Sequence, residues 1–364
     1  MGHIAQASVV NLQAESSTNL LPASKLEEGS LTSVVGADMK SMQTSTHRTY
    51  FATRRDITAS KFFRFDELTY YRFGLQLGIA NILRNGFRLG PKKTIGKILQ
   101  PINSYTRFPE YHFVGHQIED YVQRFAAGER PRILDVGSPK CFGLYLAFHF
   151  DVEVHLTDID PPSVEEAELL WNAVKRRAKG KAIFSVQDAR APKYSADEFD
   201  IVYSMSVIEH IEGATGDSAS LQAMLGVLKP GGLLLVTVPL GEKYTEQDRM
   251  GLEAAARVTD ERTRHFFQRI YTPVAAQERI VNAVPGADLR RTVSVWRKPG
   301  ILSRVYRHLG PVDRGLLGCF NPLLSATLND SREGMLPVPG EYSDLHSATD
   351  TYGDLMLAWV KSFA

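Results

Sequence analysis

Arg132-Ile-Leu-Asp-Val-Gly-Ser-Pro-Lys-Cys-Phe-Gly143 is the stretch on which the fold turns. A short apolar run ends in an acid and a glycine, then gives way to a helical pattern. An open α/β sheet presents its first strand end to a nucleotide-like ligand in this way, with turn amides and a helix N-terminus as donors. The glycine spacing does not suit a dinucleotide. Gly137 is present, but Pro139 and Phe142 stand where a GxGxxG fingerprint would have glycine.

Downstream the rhythm is strand, helix, strand. Strands are expected at Ile133–Val136, Val152–Leu156, Ala182–Val186, Phe199–Tyr203 and Leu233–Val238. Helices are expected over Gly143–Phe150, from Pro161 to about residue 178, and over Ser218–Leu228, the last ending at Lys229-Pro-Gly-Gly232. Asp160 reads as the cap of the helix that Pro161-Pro162 opens. Such alternation argues for a doubly wound, mostly parallel sheet with right-handed crossovers. Beyond it, Tyr271–Val284 looks helical with Thr272 as N-cap, Leu289–Trp296 alternates like a strand, and Asp354–Val360 reads as a final strand.

Upstream, residues 1–45 are rich in Ser, Thr, Ala and Gln without periodicity and read as a disordered or loosely ordered tail. Residues 46–128 form a basic, aromatic and mainly helical extension. Leu75, Ile79, Ile82 and Leu83 share one helical face there, with Arg84 and Arg88 beyond, and a second helix is expected over His116–Phe125. From His47 to Phe108 there are 12 Lys/Arg against three Asp/Glu, a local +9 in a chain whose net charge is +1. Residues 298–350 form an insertion that could serve as a lid.

A length of 364 residues, 43% hydrophobic and 23% charged, is ordinary for a globular protein with one large α/β domain or two domains. Two cysteines, Cys141 and Cys319, give neither a disulfide framework nor a metal cluster, and no metal site is expected. No apolar run approaches the roughly 20 residues of a membrane span, and no secretory signal opens the chain, so a cytoplasmic location is expected.

The chemistry lies at the strand ends. Asp158 follows Gly137 by 21 residues, where an acid can accept hydrogen bonds from both ribose hydroxyls; the competing reading is a loop acid. Asp188 could accept from an adenine amine, or could simply form a turn. His210, beside Glu209 at the end of the fourth strand, is the candidate general base; a packing role at the start of a helix competes with it.

Ile133-Leu-Asp-Val-Gly137, Asp158, Asp188, Phe199-Asp-Ile-Val-Tyr-Ser-Met-Ser-Val-Ile-Glu-His210 and Leu228-Lys-Pro-Gly-Gly232 resemble, in order and spacing, the motifs of class I S-adenosylmethionine-dependent methyltransferases. The likeness is greatest to the small-molecule branch with a Ser-Val-Leu-Glu-His-type motif. The resemblance implies a Rossmann-like core over residues 129–297, completed by a final antiparallel strand in 351–364, with S-adenosylmethionine as cofactor. It implies that Asp135 and Gly137 line the methionine end, that Asp158 holds the ribose, that Asp188 and Ala189 flank the adenine, and that Ser138 and Ile159 also belong to the cofactor-binding set. Ser204 and Met205 would sit near the sulfonium carbon. The family's second and third turn glycines are replaced here by Pro139 and Cys141.

The implied reaction is methyl transfer to an oxygen or nitrogen of a small-molecule, sugar or lipid-linked acceptor. An inactive S-adenosylmethionine-binding regulatory or scaffold module is the non-enzymatic alternative. An RNA-directed methyltransferase is a third reading, but Ser206 stands where such enzymes have a metal-binding glutamate, and nucleic acid is not the expected partner. The failed glycine spacing disfavours a dehydrogenase. The basic extension, over about residues 60–100, could touch an anionic membrane surface or a phosphorylated acceptor. Oligomeric state leaves no mark on the sequence. His265 and Tyr271 stand where the family often closes over its acceptor.

Overall fold

The computed structural model describes residues 66–86, 107–123, 130–249, 265–297, 320–333 and 353–363, with Val305, Leu309 and Leu317 besides. The expected N-terminal tail, most of the 298–350 insertion and Cys319 lie outside the described residues.

Helices α1 (Glu67–Asn85) and α2 (Phe108–Val122) precede the sheet. Then come β1 (Arg132–Val136), α3 (Lys140–His149), β2 (Glu153–Asp158), α4 (Pro161–Val174), β3 (Lys181–Val186) and β4 (Phe199–Met205). A single turn at Ile208–His210 leads to α5 (Gly216–Val227) and β5 (Leu228–Leu240). A two-stranded ribbon, β6 (Thr245–Arg249) with β7 (His265–Ile270), is followed by α6 (Pro273–Ala276), which continues as a π-turn over Gln277–Val281. Last come β8 (Ala287–Arg297), α7 (Asn321–Leu328), β9 (Asn329–Glu333) and β10 (Gly353–Lys361).

The main sheet runs β3-β2-β1-β4-β5-β10-β8-β9. The first five strands are parallel, and β10 lies antiparallel between β5 and β8. This is the expected doubly wound sheet with an antiparallel strand near the C-terminus. An addition is β9, a second antiparallel strand contributed by the insertion at the edge.

Strand residues alternate between two cores. Ile133, Ile201 and Leu235 face α1 to α4, while Leu134, Val202 and Leu234 face α5 and α6. Apolar residues on both faces explain why these strands read as continuous hydrophobic runs. At α4 the Asp160 carboxylate accepts the Ser163 amide at 3.0 Å, and at α6 Thr272 Oγ1 accepts that of Ala275 at 3.1 Å, each before a helix-opening proline.

Two sequence expectations need correcting. Helix α2 starts at Phe108, eight residues before the expected His116. Helix α1 packs through Tyr70, Phe73, Gly74, Leu77, Gly78 and Asn81, whereas Leu75, Ile79 and Leu83 are exposed. The buried aromatics meet Tyr111, Phe142 and Tyr145 with ring centroids 5.0 to 5.8 Å apart. Each such side chain stabilises the contact by about 1.5–3 kcal/mol.

Candidate active site

Parallel β1, β2 and β4 bring their carboxyl ends to one edge, and the expected cofactor residues converge there. The turn after β1 is held from below. Asp135 is fully buried; its Oδ1 accepts the Ser138 amide at 2.9 Å and its Oδ2 the Tyr203 hydroxyl at 2.8 Å. Burial pushes this carboxyl above its ordinary range, opposed by Lys140, Tyr203 and Ser138. Ser138 Oγ accepts the Met205 amide at 2.9 Å, and Ser204 Oγ donates to the Val136 carbonyl at 3.1 Å. Strand ends β1 and β4 are thereby fastened together.

Gly137 takes φ +69°, and a Cβ there would lie 2.6 Å from Val207 Cγ1. Only glycine fits without strain. Pro139, at φ −55°, is the N-cap of α3, and its carbonyl accepts the Phe142 amide at 3.0 Å. Cys141 points into the aromatic core beside α1 and α2. The two departures from the family glycines therefore start and bury a helix. Close approach is supplied by Gly143, where a Cβ would meet Asp135 Oδ2 at 2.9 Å.

The sequence reading passed over Lys140. Its side chain is 9% exposed, and Nζ donates to the carbonyls of Thr157 (2.8 Å) and Ser138 (3.1 Å) and lies 3.0 Å from Asp158 Oδ2. A lysine inside an apolar helix start gives no sequence pattern by which to foresee this. Asp158 also accepts the Asp160 amide at 3.1 Å and the Ser163 hydroxyl at 3.3 Å, yet keeps a 20% exposed side chain. Ile159 beside it is 66% exposed, an apolar surface next to an acid at the strand edge. That pairing of hydroxyl acceptor and apolar face fits a nucleoside.

Asp188 forms the turn that competed with its adenine role. It accepts the Arg190 amide at 2.9 Å and pairs with the Arg190 guanidinium at 2.6 Å, which holds its carboxyl below the usual range. Ala189 is half-buried against the second core.

Glu209 and His210 sit on the turn after β4. Glu209 is 2% exposed and its Oε2 has no hydrogen-bond partner among the described residues, and burial pushes its carboxyl well above the ordinary range. His210 is more open. Its Nδ1 lies 2.6 Å from the Phe267 carbonyl on β7, and Nε2 is 3.7 Å from Glu209 Oε1. Nearby, Arg269 is 1% exposed and donates to the carbonyls of Ile211 (2.7 Å) and Gly213 (2.5 Å), fixing the loop that follows His210. Tyr271 is fully buried with its hydroxyl on Asp217 at 2.8 Å, so it does not close over an acceptor; of His265 only the backbone is described.

Glu110, from the first turn of α2, also reaches this edge. It accepts the hydroxyls of Ser206 and Thr237, each at 2.5 Å, and pairs with Arg107 at 3.0 Å. Asp354, opening β10, has its carboxyl pushed up to about 7, chiefly by burial and then by Glu110, against the pull of Arg297 and Arg107.

Residues 111–275 match a family described as a methyltransferase domain. Solved structures similar to this protein include an S-adenosylmethionine-dependent methyltransferase from Methanosarcina mazei, 14% identical over 68% of this chain and 98% of the other, with a TM-score of 0.40. A methyltransferase from Bacillus halodurans is 13% identical over 68% and 100%, with a TM-score of 0.40. Phosphoethanolamine N-methyltransferase 2 of Haemonchus contortus, in complex with S-adenosylmethionine, is 17% identical over 68% and 53%, with a TM-score of 0.37. Likeness at this level carries no weight for the acceptor. Among the described residues no helix is long and apolar enough to cross a membrane.

Proposed function

We propose that this protein is a methyltransferase that uses S-adenosylmethionine as its cofactor and methylates an oxygen or nitrogen of a small-molecule, sugar or lipid-linked acceptor at the carboxyl edge of β1, β2 and β4. The observation that carries the reading is the juxtaposition of the Gly137 turn with Asp158 and the exposed Ile159. In this reading the amides after Gly137 and the buried hydroxyl of Ser138 shape the methionine end, with Asp135 acting through the turn it holds. Asp158 takes the ribose hydroxyls, Ile159 lies along the nucleoside, Asp188 and Ala189 flank the adenine, and Ser204 and Met205 border the reacting carbon.

When bound, the cofactor supplies an electrophilic methyl group on a sulfonium sulfur. In-line displacement needs alignment above all, and positioning can supply about 7–11 kcal/mol of the barrier. His210 Nε2 takes the acceptor's proton if one must leave, with Nδ1 fixed by the Phe267 carbonyl. Glu209, neutral when its carboxyl is pushed up, supplies a buried donor or acceptor rather than a second negative charge.

A second reading concerns where the acceptor resides. Leu68, Leu75, Ile79 and Leu83 form an exposed apolar line on α1, near the exposed Arg72 and Arg84. That pattern supports contact with an anionic membrane surface carrying a lipid-linked or phosphorylated acceptor. Sedimentation with anionic and neutral vesicles tests it: binding only to anionic vesicles, lost in L75E/L83E, is expected, and equal recovery in the supernatant from both refutes it.

Calorimetry with S-adenosylmethionine and its demethylated product tests the main reading. Binding of both is expected, with Asp158→Ala removing most of the affinity and a product-mass screen revealing an acceptor 14 Da heavier (about one methylene, as any methylation adds). Failure to bind either compound overturns the proposal. Tight binding without turnover across an acceptor library points to the inactive regulatory module instead.

A further inference from the structure

His112 and His116 stand one turn apart on α2, and Glu67 reaches them from the first turn of α1. One ligand atom from each lies within 4.8 Å of the other two. His116 Nε2 is 3.5 Å from Glu67 Oε1, and His112 Nδ1 hydrogen-bonds the same oxygen. The two imidazole rings are 4.4 Å apart between centroids. Tetrahedral zinc with bonds of roughly 2.0–2.2 Å separates its ligand atoms by about 3.4 Å, so His116 and Glu67 already stand at that separation and His112 needs only a small side-chain shift.

We propose that Glu67, His112 and His116 form a divalent transition-metal site, of the zinc class, that ties α1 to α2. Three features support it. An i, i+4 histidine pair on one helical face is the spacing by which a helix presents two imidazoles to one ion. The set of two nitrogens and one carboxylate oxygen suits zinc and its neighbours better than magnesium or calcium, which prefer oxygen alone. Glu119 Oε2 lies 3.1 Å from His116 Nδ1, the outer carboxylate that orients a metal-binding imidazole and leaves Nε2 for the ion. The side chains of Glu67, His112 and His116 are 20 to 33% exposed, which leaves an entry path and a fourth position for water.

The site is separate from the proposed cofactor residues. It shares α2 with Glu110, which holds Ser206 and Thr237 at the carboxyl edge. Occupation would therefore fix α1 on a helix that also reaches the reaction centre.

The test uses the full chain, stripped with EDTA and titrated with zinc chloride by calorimetry, then with cobalt(II) chloride in the visible spectrum. Because the chain has ten histidines, the decisive quantity is the difference from variants. One saturable zinc site is expected, with a visible cobalt spectrum of a low-coordinate nitrogen and oxygen site, both lost in H112A/H116A. Glu119→Gln, which leaves all three ligands in place, should weaken zinc by about 10–100-fold. The proposal fails if no saturable zinc binding occurs, if H112A/H116A binds zinc as the parent does, or if magnesium competes at equal concentration. Should H112A/H116A fail to fold by circular dichroism, Glu119→Gln decides alone, and an unchanged zinc affinity overturns the site.

Discussion

Lys140 Nζ lies 3.0 Å from Asp158 Oδ2, so the acid expected to meet the ribose already carries a buried cation at its side. A strand-end carboxylate with that partner is fixed in direction, ready to accept from hydroxyls. Removing Asp158 leaves the nearly buried Lys140 ammonium with carbonyl partners and no counter-charge at that distance. Lys140→Met should lower stability by about 1–3 kcal/mol by removing the ammonium donor that the Thr157 and Ser138 carbonyls and Asp158 share. The double variant K140M/D158A should cost less than the two single changes together, with a coupling of about 0.5–3 kcal/mol. Urea unfolding of the four proteins measures this, and strict additivity would show that the pair does not interact.

Gly137 and Val207 supply a second test. Gly137→Ala brings a Cβ against Val207 Cγ1 and also requires a left-handed backbone from alanine. The expected loss is about 1–3 kcal/mol. Adding Val207→Ala removes the steric part but not the backbone part, so recovery should be partial. Full recovery would place the whole cost in the clash.

How much was legible in the sequence follows from the same turn. The strands of the doubly wound sheet were readable because both faces are apolar, and the helix starts because Asp160 and Thr272 cap before proline. Burial is what the pattern concealed. Leu75, Ile79 and Leu83 made an apolar face on α1, yet Tyr70, Phe73 and Leu77 pack, on the face that also carries Gly74 and Gly78. Lys140, Glu110 and Arg269 were missed for a related reason: a buried charge is defined by partners distant in the chain, such as Asp158, Thr237 and Gly213. Pro139 and Cys141 looked like damage to a ligand-binding turn and are instead the cap and core of α3.

Asp354 predicts a slope of stability with pH. Its carboxyl is raised from 3.8 to about 7, so the folded protein keeps a proton that the unfolded chain has released. Its contribution is fully present below about pH 3.8 and declines as pH rises to about 7, then stays flat. Asp354→Asn removes the titration, so the urea midpoint should fall less between pH 5 and pH 8 than in the parent. Other carboxyls are held below their usual range, Glu153 among them, and act at lower pH in both proteins alike. An identical pH dependence in the variant would show that Asp354 is ionised throughout.

His210 offers the sharpest test of chemistry. With Nδ1 2.6 Å from the Phe267 carbonyl oxygen, that nitrogen carries the hydrogen and Nε2 keeps the lone pair. A base so oriented should matter for kcat and little for cofactor affinity. His210→Gln retains a donor toward Phe267 but has no comparable basic nitrogen. It should reduce kcat by about 100- to 10,000-fold while the dissociation constant for S-adenosylmethionine stays within about twofold. The acidic limb of the pH–rate profile should vanish with it. If kcat stays within tenfold and the acidic limb persists, His210 serves only to tie the turn after β4 to β7, and the acceptor loses its proton to water or needs no base.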